Sequence, residues 1–203
     1  MTALPEVHLI GSEPGKLAAV VLAMRSAGLL TPIQLPAPAG GDPVPDVTLT
    51  SAGPLAQLAE LWAERPPAAV IVQGDTAAAL AGALAAFWCR IPVVHLEAGL
   101  RSTDPLSPAE ADRRLIAQVA ALHLAPTPLA AMNLLDEGIA TGDVLLIGGP
   151  QRFAGGEADR DDDALADDAL AAGQTAQATA ALLGLAERPE PAPGPPAPTA
   201  PRG

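Results

Sequence analysis

Short apolar runs alternate along the chain with longer segments in which apolar residues recur at helical spacing. The apolar runs predict strands over residues 7–10, 47–49, 69–72, 91–96, 122–125 and 144–147. The segments between them predict helices over residues 17–28, 55–64, 77–88, 109–121 and 128–137. Because strands and helices alternate, we expect a parallel sheet with helices on both faces, which is the doubly wound α/β architecture.

Two segments fall outside this alternation. Residues 32–45 are rich in Pro, Ala and Gly, which predicts a loop. Residues 157–168 are dense in Asp, and the last fifteen residues contain seven prolines, which are excluded from helix and sheet interiors. We therefore expect one domain over residues 1–154 and an acidic, Ala/Pro-rich tail over residues 155–203 that is largely disordered. The Ala/Leu-rich stretch within the tail is expected to form at most one short helix, either free or packed on the core.

Composition and charge limit which partners and which kinds of site are expected. The 203 residues are 49% hydrophobic with only two Trp, two Phe and no Tyr, so a single core would be built from Ala, Leu and Val. The formal net charge of −12 repels nucleic acid and anionic lipid, and we expect neither as a partner. The N-terminus lacks the features of a signal peptide, which favours the cytoplasm. The single cysteine, Cys89, excludes an intrachain disulfide and a multi-cysteine metal site.

Polar side chains follow the ends of two neighbouring predicted strands. Asp75 either caps the next helix or places a carboxylate at the ligand edge of the sheet. His95 and Glu97 lie two residues apart, so in an extended chain they point to the same side. Such a pair can tune proton transfer, hold a hydroxyl or be structural. We expect no metal site, because a metal ion needs at least a third suitable ligand, which Asp75 could supply only if the two strands are adjacent.

Three further positions carry candidate binding groups. Arg101 can hold a phosphate in a bidentate way, or it can pair with Asp104 or Glu97. Arg113 lies with acidic residues at the start of a predicted helix, where the helix dipole favours negative charge without any functional demand. Gly11 opens a turn after the first strand, and such a turn either presents backbone N–H groups to a phosphate or is an ordinary connection.

Taken in order, five motifs resemble the non-hydrolysing UDP-N-acetylglucosamine 2-epimerase family. The family pattern is Gly-Asp-Thr, His-hydrophobic-Glu-Ala-Gly-Leu-Arg, Pro-Glu-Glu-x-Asn-Arg, Pro-Thr and Asn-Leu-x-x-Glu-Gly. The matching segments here are Gly74-Asp75-Thr76, His95-Leu96-Glu97-Ala98-Gly99-Leu100-Arg101, Pro108-Ala109-Glu110-Ala111-Asp112-Arg113, Pro126-Thr127 and Asn133-Leu134-Leu135-Asp136-Glu137-Gly138. The resemblance covers the run from residue 70 to residue 148, with weaker similarity back to residue 7.

The resemblance implies one half of a glycosyltransferase-B-like fold, in which two Rossmann-like domains close over a UDP-sugar. It implies interconversion of UDP-N-acetylglucosamine and UDP-N-acetylmannosamine, by elimination and re-addition of UDP, within cell-envelope polysaccharide biosynthesis and without a cofactor. By motif, the expected catalytic residues are Asp75, Glu97 and Glu110. The expected substrate-binding residues are His95, Arg101, Arg113 and Gly11.

The chain also departs from the family pattern. The first loop reads Gly11-Ser12-Glu13-Pro14-Gly15 where the family has Gly-Thr-Arg-Pro-Glu, so Glu13 would repel a phosphate. The segment carrying Glu110 is two residues shorter, and Asp112 replaces an asparagine. Recognisable sequence stops near residue 150, and the second domain of the family is not found after it.

These departures leave three hypotheses about the function of the chain, of which the first two are the main ones. The first is an epimerase whose activity alone is impaired, and which acts as a homodimer, with a second chain that supplies the missing domain, or as part of a longer product. The second is a non-catalytic sugar-nucleotide-binding or regulatory remnant of the family. The third is a decaying gene product without a selected role.

Overall fold

The computed structural model describes residues 3–11, 14–35, 52–104, 106–147 and 162–186. Its strands are β1 (Glu6–Ile10), β2 (Thr31–Gln34), β3 (Ala69–Gln73), β4 (Val93–Leu96), β5 (Leu122–Ala125) and β6 (Val144–Leu146). Its helices are α1 (Pro14–Ala27), α2 (Ala52–Glu64), α3 (Ala77–Trp88), α4 (Pro108–Val119), α5 (Pro128–Asp136) and α6 (Asp162–Leu182). Within these ranges, no helix is both long enough and apolar enough to cross a membrane.

All six strands are parallel and follow the order β2-β1-β3-β4-β5-β6. The chain moves from β1 outward to β2, then returns to β3 on the other side of β1 and continues outward from there. The point at which the direction reverses lies between β1 and β3, and open α/β sheets bind ligands at such a point, beyond the carboxyl ends of the strands. The doubly wound α/β fold is confirmed.

The two faces of the sheet are covered by different helices. On one face, α1 and α6 pack on alternate strand residues, such as Leu9, Ile71 and Leu124. On the other face, α2, α3 and α4 cover the intervening residues, and α5 closes the β5–β6 end. Small side chains let α3 approach the sheet closely, because six of its Ala and Gly residues are buried. Burial on both faces explains why the strands read as continuous apolar runs.

Most element boundaries agree with the predictions, and α3 and β5 match them to the residue. The prediction of a loop over residues 32–45 is wrong at its start, where β2 forms. Proline is tolerated there because β2 is an edge strand. The N–H groups of Thr31 and Leu35 donate to the carbonyl oxygens of Pro5 and Leu9 at 2.8 and 2.9 Å, so the intervening Pro32 lies where no N–H is required. The strand predicted over residues 47–49 lies outside the described residues.

Within residues 155–203, residues 162–182 form a 21-residue helix, α6, which is longer than expected and packs on the core, one of the two alternatives left open for the Ala/Leu-rich stretch. Its buried residues include Ala172, Ala176 and Ala180, which recur at a spacing of four. A parallel sheet needs cover on both faces, and α1 and α6 together supply it on one of them. The domain boundary expected at residue 154 stays a prediction. The Pro-rich end of the chain lies outside the described residues.

Candidate active site

The carboxyl ends of β3 and β4 form one edge of the site. These strands are neighbours, with Gln73 in register with Leu96, so the loops that carry Asp75 and Glu97 leave the sheet side by side. The hydroxyl oxygen of Thr76 caps α3 by accepting from the N–H of Ala79 at 3.2 Å. Because Thr76 supplies this cap, the Asp75 carboxylate is available for another partner. Asp75 therefore lies at the carboxyl ends of the strands, where open α/β sheets bind their ligands.

His95 lies beneath this edge rather than on it. Its ring is fully buried, and Nε2 lies 2.9 Å from the carbonyl oxygen of Gly74. Burial lowers the pKa of His95 to about 3, although the hydrogen bond to Gly74 acts in the opposite direction. The imidazole is therefore neutral, and we assign its proton to Nε2 because only a donor satisfies the carbonyl. Among the described residues, Nδ1 has no hydrogen-bond partner. His95 supports the turn that carries Asp75.

Glu97 adopts a left-handed backbone conformation with φ of 66°. Few residues other than glycine do so, and such strain is concentrated at functional sites. Strand β4 ends at Leu96, so the expectation that His95 and Glu97 point to the same side of an extended chain does not hold. The Glu97 carboxylate lies 3.4 Å from the side-chain nitrogen of Gln73, across the β3–β4 boundary.

Gly11 ends β1 at the point where the strand order reverses. A Cβ atom at this position would lie 2.7 Å from Oε1 of Gln73 and 2.8 Å from its Cβ, so a larger residue does not fit without a shift. Gln73 is 1% exposed, and among the described residues its Oε1 has no hydrogen-bond partner. The sequence did not single out Gln73 as a site residue. The departures at Ser12 and Glu13 lie outside the described residues.

Glu110 lies at the centre of a group of arginines. Its carboxylate accepts from the N–H of Ser102 at 2.9 Å and from Nε of Arg114 at 2.8 Å. Arg101 and Arg113 approach it at 3.7 and 3.6 Å. Burial raises the pKa of Glu110, but these hydrogen bonds and positive charges outweigh it and hold the pKa below its usual value. Glu110 is therefore ionised and anchored at the first turn of α4.

Arg101 forms a bidentate pair with Glu137, with Nε and Nη2 at 2.7 and 2.5 Å from the two carboxylate oxygens. The protein partner of Arg101 is therefore Glu137 rather than the expected Asp104 or Glu97. Binding of a phosphate by Arg101 stays a prediction. Nearby, the side-chain amide of Asn133 donates to the carbonyl oxygen of Gly99 at 2.9 Å. Asn133 and Glu137 belong to one sequence motif, so this motif holds the loop that carries Glu97 and Arg101.

Arg113 forms an ion pair with Asp75, and both side chains are partly exposed. The neighbouring Asp112 has a raised pKa, first because of burial and second because of the Asp75 charge. Arg113 thus offsets the charge of Asp75 at the edge of the site. This ion pair connects α4 to the loop after β3, and an anion that binds Arg113 would have to displace Asp75 from it.

Of the predicted site residues, the sheet edge carries Asp75, Glu97 and Gly11, and α4 brings Arg113 to Asp75. His95 is buried below this edge, and Arg101 and Glu110 form an adjoining charge cluster. The residues missed from the sequence are Gln73, Arg114 and Glu137. Glu137 belongs to the Asn-Leu-x-x-Glu-Gly motif, so this motif could have identified it as a site residue. Two carboxylates beside a glycine turn can exchange protons with a ligand held at the switch point.

Comparisons with known proteins agree with this arrangement. A family model described as UDP-N-acetylglucosamine 2-epimerase matches residues 45–165, more than half of the chain. The UDP-N-acetylglucosamine 2-epimerase of Escherichia coli is 45% identical over 93 residues, covering 45% of this chain and 25% of that protein. The chain thus spans only a quarter of that curated relative.

Solved structures extend the similarity over a larger part of this chain. The S. aureus MnaA–UDP structure matches with a TM-score of 0.63 and 32% identity, covering 72% of this chain and 44% of that one. UDP-GlcNAc 2-epimerase from Neisseria meningitidis, bound to UDP-GlcNAc, matches with a TM-score of 0.61 and 28% identity, covering 70% and 46%. The resemblance stated from the five motifs is confirmed, and the chain belongs to the UDP-N-acetylglucosamine 2-epimerase family.

Proposed function

We propose that this chain supplies one half of a UDP-N-acetylglucosamine 2-epimerase site. The observation that carries the proposal is the placement of Asp75 and Glu97 on adjacent loops, beyond neighbouring parallel strands, beside the switch point at Gly11. These are the carboxylates that the family motifs mark as catalytic. The cytoplasmic location expected from the sequence is part of the same proposal.

The substrate in this proposal is a UDP-sugar. Two of the similar solved structures contain UDP or UDP-GlcNAc. Helix α1 begins three residues after Gly11, and the free N–H groups of a helix N-terminus favour a diphosphate. Arg113 is the cation at this edge that a diphosphate could draw from Asp75, whereas Arg101 is held by Glu137 in the interior of the charge cluster.

The reaction in this proposal inverts carbon 2 of the sugar. One carboxylate removes the proton from carbon 2 while the bond between carbon 1 and the UDP oxygen breaks, which leaves an unsaturated sugar and free UDP. Re-addition of UDP to carbon 1 is accompanied by proton delivery to the opposite face of carbon 2. Asp75 and Glu97 are the candidates for this base and acid. Glu110 is anchored by several donors, which favours a role in orienting Arg101 and Arg113 over proton transfer.

A second domain is needed to close the cleft. The chain covers 44–46% of the two solved chains, and the site described here opens on one side of a single sheet. Another copy of the chain, a separate chain or a further part of the same polypeptide would supply the remaining contacts. Without them we expect slow exchange at carbon 2, because transition-state stabilisation depends on groups placed on both sides of the reacting atom.

Proton NMR tests this function directly. UDP-N-acetylglucosamine is incubated with the purified chain in heavy water, and loss of the carbon-2 proton signal is followed. Asp75→Asn is expected to reduce exchange about 100-fold or more without weakening UDP binding, because a proton-transfer group acts in the transition state and the substitution releases Arg113 from its ion pair. Asp136→Asn is the matched control, since this carboxylate is exposed on α5.

The outcome separates the two main hypotheses. Exchange that Asp75→Asn abolishes and Asp136→Asn preserves supports the catalytic half-site. Absence of exchange at high protein concentration, together with UDP binding by calorimetry, identifies the chain as the non-catalytic sugar-nucleotide-binding remnant. Absence of both exchange and binding overturns the proposal for this chain.

A further inference from the structure

Gln73 is a buried polar residue at the end of an otherwise apolar strand. Strand β3 has the sequence Ala-Val-Ile-Val-Gln, and all five of its residues are buried. Among the described residues, Oε1 of Gln73 has no hydrogen-bond partner. Burying an amide oxygen without a partner costs free energy, which an apolar side chain of the same length would avoid. Because such local costs are concentrated at functional sites, this glutamine indicates a role beyond packing.

The side-chain nitrogen of Gln73 donates to Oε1 of Glu97 across 3.4 Å. This contact fixes the orientation of the amide, because the opposite orientation would turn the amide oxygen towards a carboxylate. The hydrogen bond crosses from the end of β3 to the loop after β4, and these two strands are neighbours. The other oxygen of Glu97, Oε2, lies 3.8 Å from the position that a Cβ atom on Gly74 would take. The carboxylate therefore lies against the turn that leads to Asp75.

Two features of the backbone accompany this contact. Glu97 has φ of 66°, so the chain leaves the extended direction of β4 at the residue whose side chain meets Gln73. On the other side of Gln73, Gly11 leaves room for the amide, because a Cβ atom at residue 11 would lie 2.7 Å from Oε1. The buried amide is thus packed between the turn at Gly11 and the carboxylate of Glu97.

We propose that Gln73 is a positioning residue that holds the Glu97 carboxylate for proton transfer. The proposal rests on the function proposed above, in which Glu97 is one of the two candidate proton-transfer groups at carbon 2 of the sugar. A carboxylate can adopt several rotamers, whereas proton transfer requires one of its oxygens at a defined place beside the reacting carbon. A donor at the end of a buried strand restricts these rotamers before the sugar binds.

The variant Gln73→Met tests the role in the reaction, because it removes the amide and keeps a side chain of similar length. In the carbon-2 exchange experiment, we expect the rate at saturating UDP-N-acetylglucosamine to fall about 10-fold, with KM and UDP affinity nearly unchanged, because the lost contact orients a proton-transfer group and not the nucleotide. Gln118→Met is the matched control. Gln118 is exposed near the end of α4, so this variant should keep the natural rate.

A double-mutant cycle with Glu97→Ala shows whether Gln73 acts through Glu97. In the Glu97→Ala background, Gln73→Met should no longer lower the exchange rate, because no carboxylate remains to be positioned. Urea denaturation of the same four proteins provides a measurement that requires no activity. There we expect the two substitutions to be coupled by a factor of about three to ten in the equilibrium constant of unfolding, as for one hydrogen bond.

The outcomes separate this proposal from the proposed function. Exchange that Gln73→Met lowers at unchanged KM, together with coupling to Glu97, supports the positioning role. Exchange at the natural rate in Gln73→Met, an equal loss of UDP affinity, or no coupling overturns the positioning role while the proposed function stands. Absence of exchange in the natural chain counts against the proposed function and overturns the role of Gln73 in proton transfer with it, and any coupling to Glu97 is then structural alone.

Discussion

The Nε2 atom of His95 donates to the carbonyl oxygen of Gly74 across 2.9 Å and thereby joins the ends of two neighbouring strands. Gly74 precedes Asp75, and His95 lies two residues before Glu97, so this hydrogen bond fixes one loop of the site relative to the other. A protonated imidazole is excluded from the buried position, and the bond is made by the neutral ring. The stability of the fold that carries the candidate active site is therefore coupled to pH.

His95 is expected to make the folded protein less stable in acid. Its pKa is about 3 in the folded chain against 6.5 when exposed, so below pH 6.5 the unfolded chain takes up a proton that the folded chain does not. The free energy of unfolding should therefore fall by about 1.4 kcal/mol for each pH unit below 6.5, or about 2 kcal/mol between pH 7 and pH 5. Urea denaturation at these two pH values measures the change.

The variant His95→Gln isolates this effect. Glutamine can still donate to the Gly74 carbonyl but does not titrate, and His8 and His123 remain in both proteins. We expect the loss of stability between pH 7 and pH 5 to be smaller in the variant by about 2 kcal/mol. The same pH dependence in both proteins would mean that His95 can be protonated in the folded state.

Glu110→Gln is expected to destabilise the charge cluster at the start of α4. The side chain is 3% exposed, and the substitution leaves Arg114 and the neighbouring arginines with one negative charge fewer. We expect a loss of about 2–4 kcal/mol in the free energy of unfolding at pH 7. Glu60→Gln, on the exposed surface of α2, is the matched control and should change stability by less than about 0.5 kcal/mol.

Acid should remove this difference. The folded pKa of Glu110 is depressed, so its contribution is present above the unfolded value of 4.5 and is lost as the pH falls through the folded pKa. The natural chain and Glu110→Gln should therefore approach the same stability in strong acid. A difference that stays constant from neutral to acidic pH would show that the loss comes from packing and not from charge.

Gly99→Ala is expected to be among the most damaging small substitutions. A Cβ atom at Gly99 would lie 2.1 Å from the backbone carbonyl oxygen of Ala130, and the backbone φ of 81° is also unfavourable for alanine. We expect a loss of more than about 3 kcal/mol, measured by urea denaturation.

Gly138→Ala provides the comparison for Gly99→Ala. It has φ of 87°, but nothing lies within 4 Å of the added Cβ, so it tests backbone strain alone and should lose only about 1 kcal/mol. Similar losses for the two variants would show that the α5 backbone can move away from Gly99. That result would mean that the close approach of Gly99 to α5 does not fix the position of the loop that carries Glu97.

Local patterns in the sequence were sufficient for the sheet and for the position of its ligand edge. Alternating apolar runs and helical spacing predicted α3 and β5 to the residue, and the Gly-Asp-Thr motif placed Asp75 after β3. Periodicity worked because these strands are buried on both faces and their helices begin at recognisable caps, such as Thr76 and Thr127.

Pairings between distant residues were not predicted, because they depend on the folded chain. The partner of Arg101 is Glu137, which is 36 residues away and meets it only after α5 has packed beside the β4 loop. Strand β2 was not predicted because it contains Pro32. A proline is tolerated in this strand because β2 lies at the edge of the sheet. The docking of helix α6 was left open because its Ala-rich, acidic composition gives a weak apolar stripe, and the docking follows from a sheet face that needs cover.

The docking of α6 predicts that Ala176→Asp destabilises the domain. Ala176 is 4% exposed and packs in the cluster formed by α1 and the sheet, so a carboxylate there would be buried without a partner. We expect a loss of about 3–5 kcal/mol, limited by the free energy of docking α6. The neighbouring Gln177 is exposed, so Gln177→Asp introduces the same charge and a similar change in helix propensity without burial. It should lower the free energy of unfolding by less than about 1 kcal/mol.

Urea denaturation measures both variants, and hydrogen exchange at Thr175 and Thr179 shows whether α6 detaches. Equal, small losses with fast exchange in the natural chain would mean that α6 does not belong to the domain in solution, and the division at residue 154 would then stand.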